Sequence, residues 1–173
     1  MQSRFNLVDL GDLLSNVHSA ATGNAMLLKI EDHLRGLFPL YPGIMSWYSA
    51  KVLPQILSDH GQRNIFCIVP TDYPSVMAAF CILKNGPTER KVCTLYVDKE
   101  YRGIGLGERL FEKAFEFLQT RFPEFSMKEN VVSSYRHLIE KFQFVQTNRE
   151  NDLDFSDYYE ISFNRGLLVN NRS

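Results

Sequence analysis

No apolar run in this chain reaches the length of a membrane span. The start, Met1-Gln2-Ser3-Arg4, lacks the charged-then-apolar layout of a secretory leader, so the cytoplasm is the expected location. An excess of one charge sign is also missing: Lys+Arg number 19 against 20 Asp+Glu, a net charge of −1. That balance argues against a nucleic-acid partner held across a broad basic face. Cysteine is scarce. Cys67, Cys81 and Cys93 are odd in number and widely spaced, and each lies in an apolar run. They read as buried thiols in a reducing compartment and not as disulfides. His18, His33, His60 and His137 show no H-x-x-x-H or Cys/His spacing, so no metal is inferred. No repeat, linker or low-complexity tract divides the 173 residues, and one domain over 1–173 is expected.

What is present is apolar and aromatic. Hydrophobic residues make up 45%, with 13 Phe and 8 Tyr, enough for a sizeable core. Phe5 to Leu10 reads as a first strand or the lead-in to a helix. Met26, Leu27, Ile30, Leu34 and Leu37 recur at helical spacing and predict a helix over 23–37. A second helix is predicted over 44–57, ended or kinked by Pro54. Strands are expected over 65–69, 76–83 and 91–97. The next helix carries the stripe Leu106, Leu110, Ala114, Phe117 and Leu118 and is expected to stop at Pro123. Then come a strand over 125–131 and a helix capped by Ser133 or Ser134 and running to Phe142. Final strands over 144–149 and 158–163 flank a polar loop, and the tail from Gly166 is expected to fray.

The densest signal is Arg102-Gly103-Ile104-Gly105-Leu106-Gly107, between an apolar strand and an amphipathic helix. Strand, glycine turn and helix in that order aim backbone N–H groups and a helix N-terminus at one spot, which suits a phosphate or diphosphate. Two common phosphate loops fail on spacing. A G-x-G-x-x-G fingerprint would need glycine at Glu108 or Leu110, and no Gly-Lys-Ser or Gly-Lys-Thr occurs. The pattern that remains is R-x-x-G-x-G, with Arg102, Gly105 and Gly107 at its fixed positions.

That pattern, with Leu95-Tyr96-Val97 before it and Glu108-Arg109-Leu110 after it, resembles motif A of the GNAT superfamily of acyl-CoA-dependent N-acyltransferases. Leu138-Ile139-Glu140-Lys141-Phe142-Gln143-Phe144 resembles the family's motif B. The match is good over the C-terminal half and rests on element order in the first half. Three positions depart from the pattern. Ile139 stands where many relatives carry a tyrosine that protonates the departing thiolate, Gln143 where they carry glycine, and Val132 where an asparagine is common.

The resemblance implies an α/β (α+β) fold: a mixed, mostly antiparallel sheet with splayed central parallel strands and helices on both faces. It implies acetyl-CoA as cofactor. The pantetheine arm would pair with the backbone of Leu95 and Val97. The diphosphate would sit on Arg102, Gly103, Ile104, Gly105, Leu106, Gly107 and Glu108, with Tyr96 in the same segment. Acetyl transfer to a primary amine would go by direct attack in a ternary complex. The acceptor would be a small molecule, a peptide N-terminus or a lysine, and the protein a monomer or homodimer.

Three groups are candidates for the chemistry. The Val97 N–H would serve as oxyanion donor. Tyr135, one helical turn before Ile139, is the candidate acid. Glu129 would act as base through water, in competition with a water chain on backbone carbonyls. Glu89 lies close in sequence to the site but in a turn, and Lys91 stands where some relatives hold a glutamate. Each candidate has a plainer rival. Tyr135 shares its helix face with Leu138, Ile139 and Phe142, which suits core packing. Tyr41, Trp47 and Tyr48 lie where relatives wall the acceptor site, yet such aromatics also fill cores. Cys93 is expected on the same side as Leu95, a structural thiol with no basic neighbour. The acidic stretch 150–157 could attract a cationic amine. With no motif B tyrosine and no clear base, a non-catalytic acyl-CoA-binding sensor or interaction module is the alternative.

Overall fold

The computed structural model describes residues 4–151 and 159–167. Most of the polar loop after Glu150, including Asp152 to Asp157, lies outside them, as do Tyr158 and the tail from 168. Seven strands form two antiparallel sheets. The first, in the order β1-β2-β3-β4, comprises β1 (Phe5–Asp9), β2 (Arg63–Pro70), β3 (Ala79–Asn85) and β4 (Arg90–Val97). The second, in the order β5-β7-β6, comprises β5 (Phe125–Lys128), β6 (Gln146–Asn151) and β7 (Tyr159–Phe163). An isolated parallel bridge, Lys91 to Glu124, joins β4 to the lead-in of β5. Its hydrogen bonds run from the Val92 N–H to Glu124 (2.9 Å) and from the Glu124 N–H to Arg90 (2.8 Å). Beyond it the two sheets diverge, so the mixed, mostly antiparallel arrangement with splayed central strands is present.

Helices cover both faces. Along β2 every residue is buried, as a strand sandwiched between two helical layers must be. Ile65, Cys67 and Val69 pack toward α1 (Leu10–Ser15), α2 (Ala20–Gly36) and the helical segment 44–58. Phe66 and Ile68 pack toward α5 (Leu106–Leu118) and α6 (Val132–Lys141). The second core is rich in phenylalanine: Phe111, Phe125 and Phe144 meet at centroid distances of 4.9–5.6 Å.

Several expected boundaries are corrected. The lead-in 5–10 is a strand followed at once by α1, which periodicity misses because it spans only six residues. The expected helix 44–57 is α3 (Ile44–Trp47), a π turn (Tyr48–Val52) and α4 (Leu53–Ser58). The Leu53 N–H bonds the Tyr48 carbonyl, so a widened turn carries the helix past Pro54. α5 stops at Leu118, not Pro123, because Gln119 takes the left-handed conformation (φ 51°) and caps it. The strand expected over 125–131 ends at Lys128 and becomes a 3₁₀ turn over Glu129–Val131. That turn leads straight into α6, so neither Ser133 nor Ser134 caps it.

Candidate active site

The cleft between the diverging sheets is edged by β4, and a bulge sets what β4 shows it. Thr94 pairs with Ile82 and Val92 with Leu83, which leaves Cys93 as an extra residue. Without the bulge Cys93 would share a face with Leu95. Instead it packs with Tyr96 toward α2, while Val92, Leu95 and Val97 pack toward α5. It also has the basic neighbour that the sequence does not reveal: Arg63 Nη1 lies 3.6 Å from its Sγ. Burial nevertheless pushes the Cys93 thiol up, against the pull of Arg63 and Lys91.

Hydrogen-bond alternation fixes the edge. The Asp98 N–H bonds the Ala78 carbonyl at 2.9 Å, so the next residue pair, Val97 and Ala79, is a non-bonded one. The N–H and C=O groups of Val97, and by the same count Leu95, therefore point away from β3 and into the cleft. Side chains meet both carbonyls: Arg102 Nε donates to Val97 at 3.1 Å, and the Tyr135 hydroxyl lies 3.5 Å from that of Leu95. Tyr96 is turned the other way. Its backbone faces β3, its ring lies against His33 (4.6 Å) and Phe80 (5.4 Å), and its hydroxyl donates to Asp98.

The glycine loop follows. Gly103 (φ 78°) and Gly105 (φ 86°) hold conformations that L-residues rarely adopt, with open space where a Cβ would stand. Gly105 is the N-cap of α5 and offers no side chain to its first N–H groups. Gly107 serves packing instead: a Cβ there would stand 3.4 Å from Leu138 and 3.8 Å from Val97. Leu106 is buried and Ile104 exposed. Glu108 forms an ion pair with Lys141, which links the first turn of α5 to the last turn of α6.

Tyr135 packs its ring on the α5 core while its hydroxyl reaches the backbone edge of β4, so core packing does not withdraw the hydroxyl from that edge. Burial raises its pKa, and the nearby Arg102 charge opposes the rise. Glu129 lies on the 3₁₀ turn and not on the strand, and Arg149 engages its carboxylate at 3.0 and 3.1 Å. Glu89 is held by Lys84 and Lys91, which keep its carboxyl below the usual range.

Of the three aromatics, Tyr48 is core and Trp47 lies under Arg63. Tyr41 reaches the second sheet. Its ring lies 5.7 Å from the ammonium of Lys128, itself 3.5 Å from the Glu160 carboxylate. Burial and the Glu160 charge push the Tyr41 phenol up to about 12. Lys128 is 1% exposed. Sequence reasoning misses Lys128 and Glu160. Phe-Ser-Met-Lys alternates apolar and polar residues, which would put Lys128 in solvent; its burial and its pairing with Glu160 depend on the β5–β7 register, which no local pattern encodes.

The profile of the acetyltransferase (GNAT) family matches residues 27–143. The chain belongs to that family. No curated protein sequence matches it. Among solved structures it is similar to a candidate streptothricin acetyltransferase from Bacillus anthracis in complex with acetyl coenzyme A (20% identity, 61% of this chain and 63% of that one, TM-score 0.51). It is similar to Arabidopsis thaliana NAA60 in complex with a bisubstrate analogue (15%, 79% and 91%, TM-score 0.59). It is also similar to the spermidine/spermine N-acetyltransferase SpeG of Vibrio cholerae (12%, 97% and 97%, TM-score 0.57). The chain thus spans just under two thirds of the Bacillus protein and nearly all of the Vibrio one. At these identities the likeness is one of fold.

Proposed function

We propose that the chain is an N-acetyltransferase that moves an acetyl group from acetyl-CoA to a primary amine by direct attack in a ternary complex. One observation carries this reading. The cleft edge of β4 and the N-terminus of α5, which has no side-chain cap, converge on the same opening. Leu95 and Val97 offer main-chain groups that an amide-bearing arm can pair with. Residues 102–108 offer a glycine turn and helix N–H groups that suit a diphosphate. Acetyl-CoA supplies the activated acetyl group when bound.

The chain's own groups have separable tasks. The Val97 N–H meets the negative charge that develops on the acetyl oxygen. Tyr135, like any phenol, holds its proton at neutral pH, burial raises its pKa further, and it is the group placed to protonate the leaving thiolate. Arg102 braces the loop through the Val97 carbonyl. Glu129 acts as base only through water and only with Arg149 displaced; backbone carbonyls with water fill the role otherwise. The acceptor is a small molecule, a peptide N-terminus or a lysine, and it enters on the Tyr41 side. We place the enzyme in the cytoplasm.

Thiol release from acetyl-CoA in the presence of a panel of amines tests the reading. Release that depends on one amine class supports it. Tight binding of acetyl-CoA with no release for any amine would assign the chain as an acyl-CoA sensor instead.

A further inference from the structure

Arg63 opens β2 and is 4% exposed. A buried guanidinium is costly unless an anion accompanies it. Among the described residues no carboxylate lies within 4 Å of it. Its Nε donates to Gln55 Oε1 at 2.8 Å, its Nη1 faces the Cys93 sulfur at 3.6 Å, and its plane lies 5.9 Å from the Trp47 ring. These partners are all uncharged, because burial keeps the Cys93 thiol protonated. Nη2 donates to none of the described residues. No buried side-chain nitrogen or oxygen among them lacks a partner, so Nη2 accounts for part of the small area that Arg63 leaves to solvent.

It opens onto a broad depression of about 570 Å³ lined by Lys51, Pro54, Gln55, Ser58, Arg63 and Lys84. Three of the six lining residues are cations and none is an acid. The nearest acid in the network, Glu89, is shared by Lys84 (2.5 Å) and Lys91 (3.8 Å), and the combined field of Lys84, Lys91 and Arg63 lowers its pKa. The excess is local, since the whole chain carries a net charge of only −1.

We infer that this depression is a binding site for a small oxyanion, a carboxylate or phosphate group, seated on Arg63 between Lys51 and Lys84. Arg63 supplies a guanidinium already fixed by Gln55 and Trp47, whose Nη2 is left to donate a charge-assisted hydrogen bond to such a group. The two lysines supply charge from the rim. The site is separate from the glycine loop. Lys84 pairs with Lys91 at the start of β4, and the loop follows Val97 at its end. Six residue steps along β4, roughly 20 Å, separate them. The oxyanion site therefore stands whatever the glycine loop binds and whether or not the chain transfers acetyl groups.

Inorganic phosphate and succinate, titrated separately into the full chain, are the probes. The readout is the NMR signal of the Arg63 Nε–H and of the Cys93 amide. Saturable shifts that weaken with added salt are expected for at least one probe, and the tighter of the two assigns the source. The double variant Lys51→Glu/Lys84→Glu, at one exposed and one half-buried lysine, should weaken binding about tenfold or more, the size of one lost charge-assisted contact. Gly105→Val should leave it unchanged. No shift with either probe overturns the site, as does binding that survives the double variant or is lost on Gly105→Val. Arg63→Lys, which keeps the charge but not the planar fork, should also weaken binding. If Arg63→Lys does not fold, the lysine double variant decides alone.

Discussion

The Tyr135 hydroxyl lies 3.5 Å from the Leu95 carbonyl oxygen, so a side chain of α6 touches the backbone edge of β4 inside the cleft. At that separation the contact is at the outer limit of a hydrogen bond, and a bound ligand can replace it at small cost. Tyr135 is thereby placed where a substrate thioester would run, although it is not at the position that motif B reserves for tyrosine. Tyr135→Phe is expected to lower kcat by about 10²-fold, the low end of general-acid contributions, with acetyl-CoA affinity unchanged. As a general acid the phenol acts in its protonated form, and burial raises its pKa, so the alkaline limb of the wild-type rate profile is expected on the alkaline side of the ordinary phenol range. Loss of that limb in the variant is the diagnostic result. An unaltered kcat would remove Tyr135 from the mechanism, and Ile139→Tyr would then be the change expected to raise turnover.

Gly105→Val tests the loop. A β-branched residue at φ 86° costs about 1–2 kcal/mol of backbone strain, which the fold should survive. Its methyl groups would fill the space before the first N–H groups of α5. Calorimetric titration with CoA should show no binding, whereas the wild type should gain about 2.7 kcal/mol of stability at a hundredfold excess of ligand over Kd. Full affinity in the variant would refute the assignment of these amides.

The two fully buried thiols make stability fall in alkali. Burial raises the pKa of Cys67, and raises that of Cys81 to about 12. Below the ordinary thiol range both folded and unfolded states are protonated and the thiols contribute no pH dependence. Above pH 9 only the unfolded chain loses those protons, so stability declines as pH rises. Urea midpoints between pH 8 and pH 10.5 should decline less steeply for Cys81→Ala than for the wild type. Equal slopes would show that other groups control the effect.

Asn164 holds the end of the second sheet. It is fully buried at φ 57°, its Oδ1 accepts from the Val145 N–H and its Nδ2 donates to the Pro123 carbonyl, both at 3.0 Å. Asn164→Ala should cost roughly 1–3 kcal/mol for each group left without a partner, and more for a side chain forced into the left-handed region. Asn164→Gly relieves only the strain and should lie between the two. Urea melts that rank alanine equal to wild type would show that neither hydrogen bond matters to the sheet.

How much of this is legible in the sequence follows from the range of each signal. The Arg102–Gly107 turn and the stripe on α5 are local patterns, and both stand where the sequence places them. The β4 bulge is not local. It exists only against β3, so strict alternation puts Cys93 on the wrong side by one step. Glu129 is expected on a strand because Phe125, Met127 and Val131 fall on one alternating set, yet the chain turns after Lys128 to enter α6. Arg149 meets Glu129, and Lys128 meets Glu160, through the pairing of β5, β6 and β7, which depends on sequence separations that no short motif spans. The π turn before Pro54 shows a proline accommodated by a change of helical pitch, which composition alone reads as a stop.

The bridge at Glu124 has a mechanical consequence. Its two backbone hydrogen bonds fasten the halves of the molecule at one end, while each half keeps its own complete ladder. Beyond the bridge the halves are joined by the core that packs on both sheets through α5, so the opening there is set by side-chain packing and not by a strand pair. Under the proposed function, substitutions around Tyr41 or Glu160 would therefore reshape that opening for acceptors of different girth and leave the glycine loop unchanged.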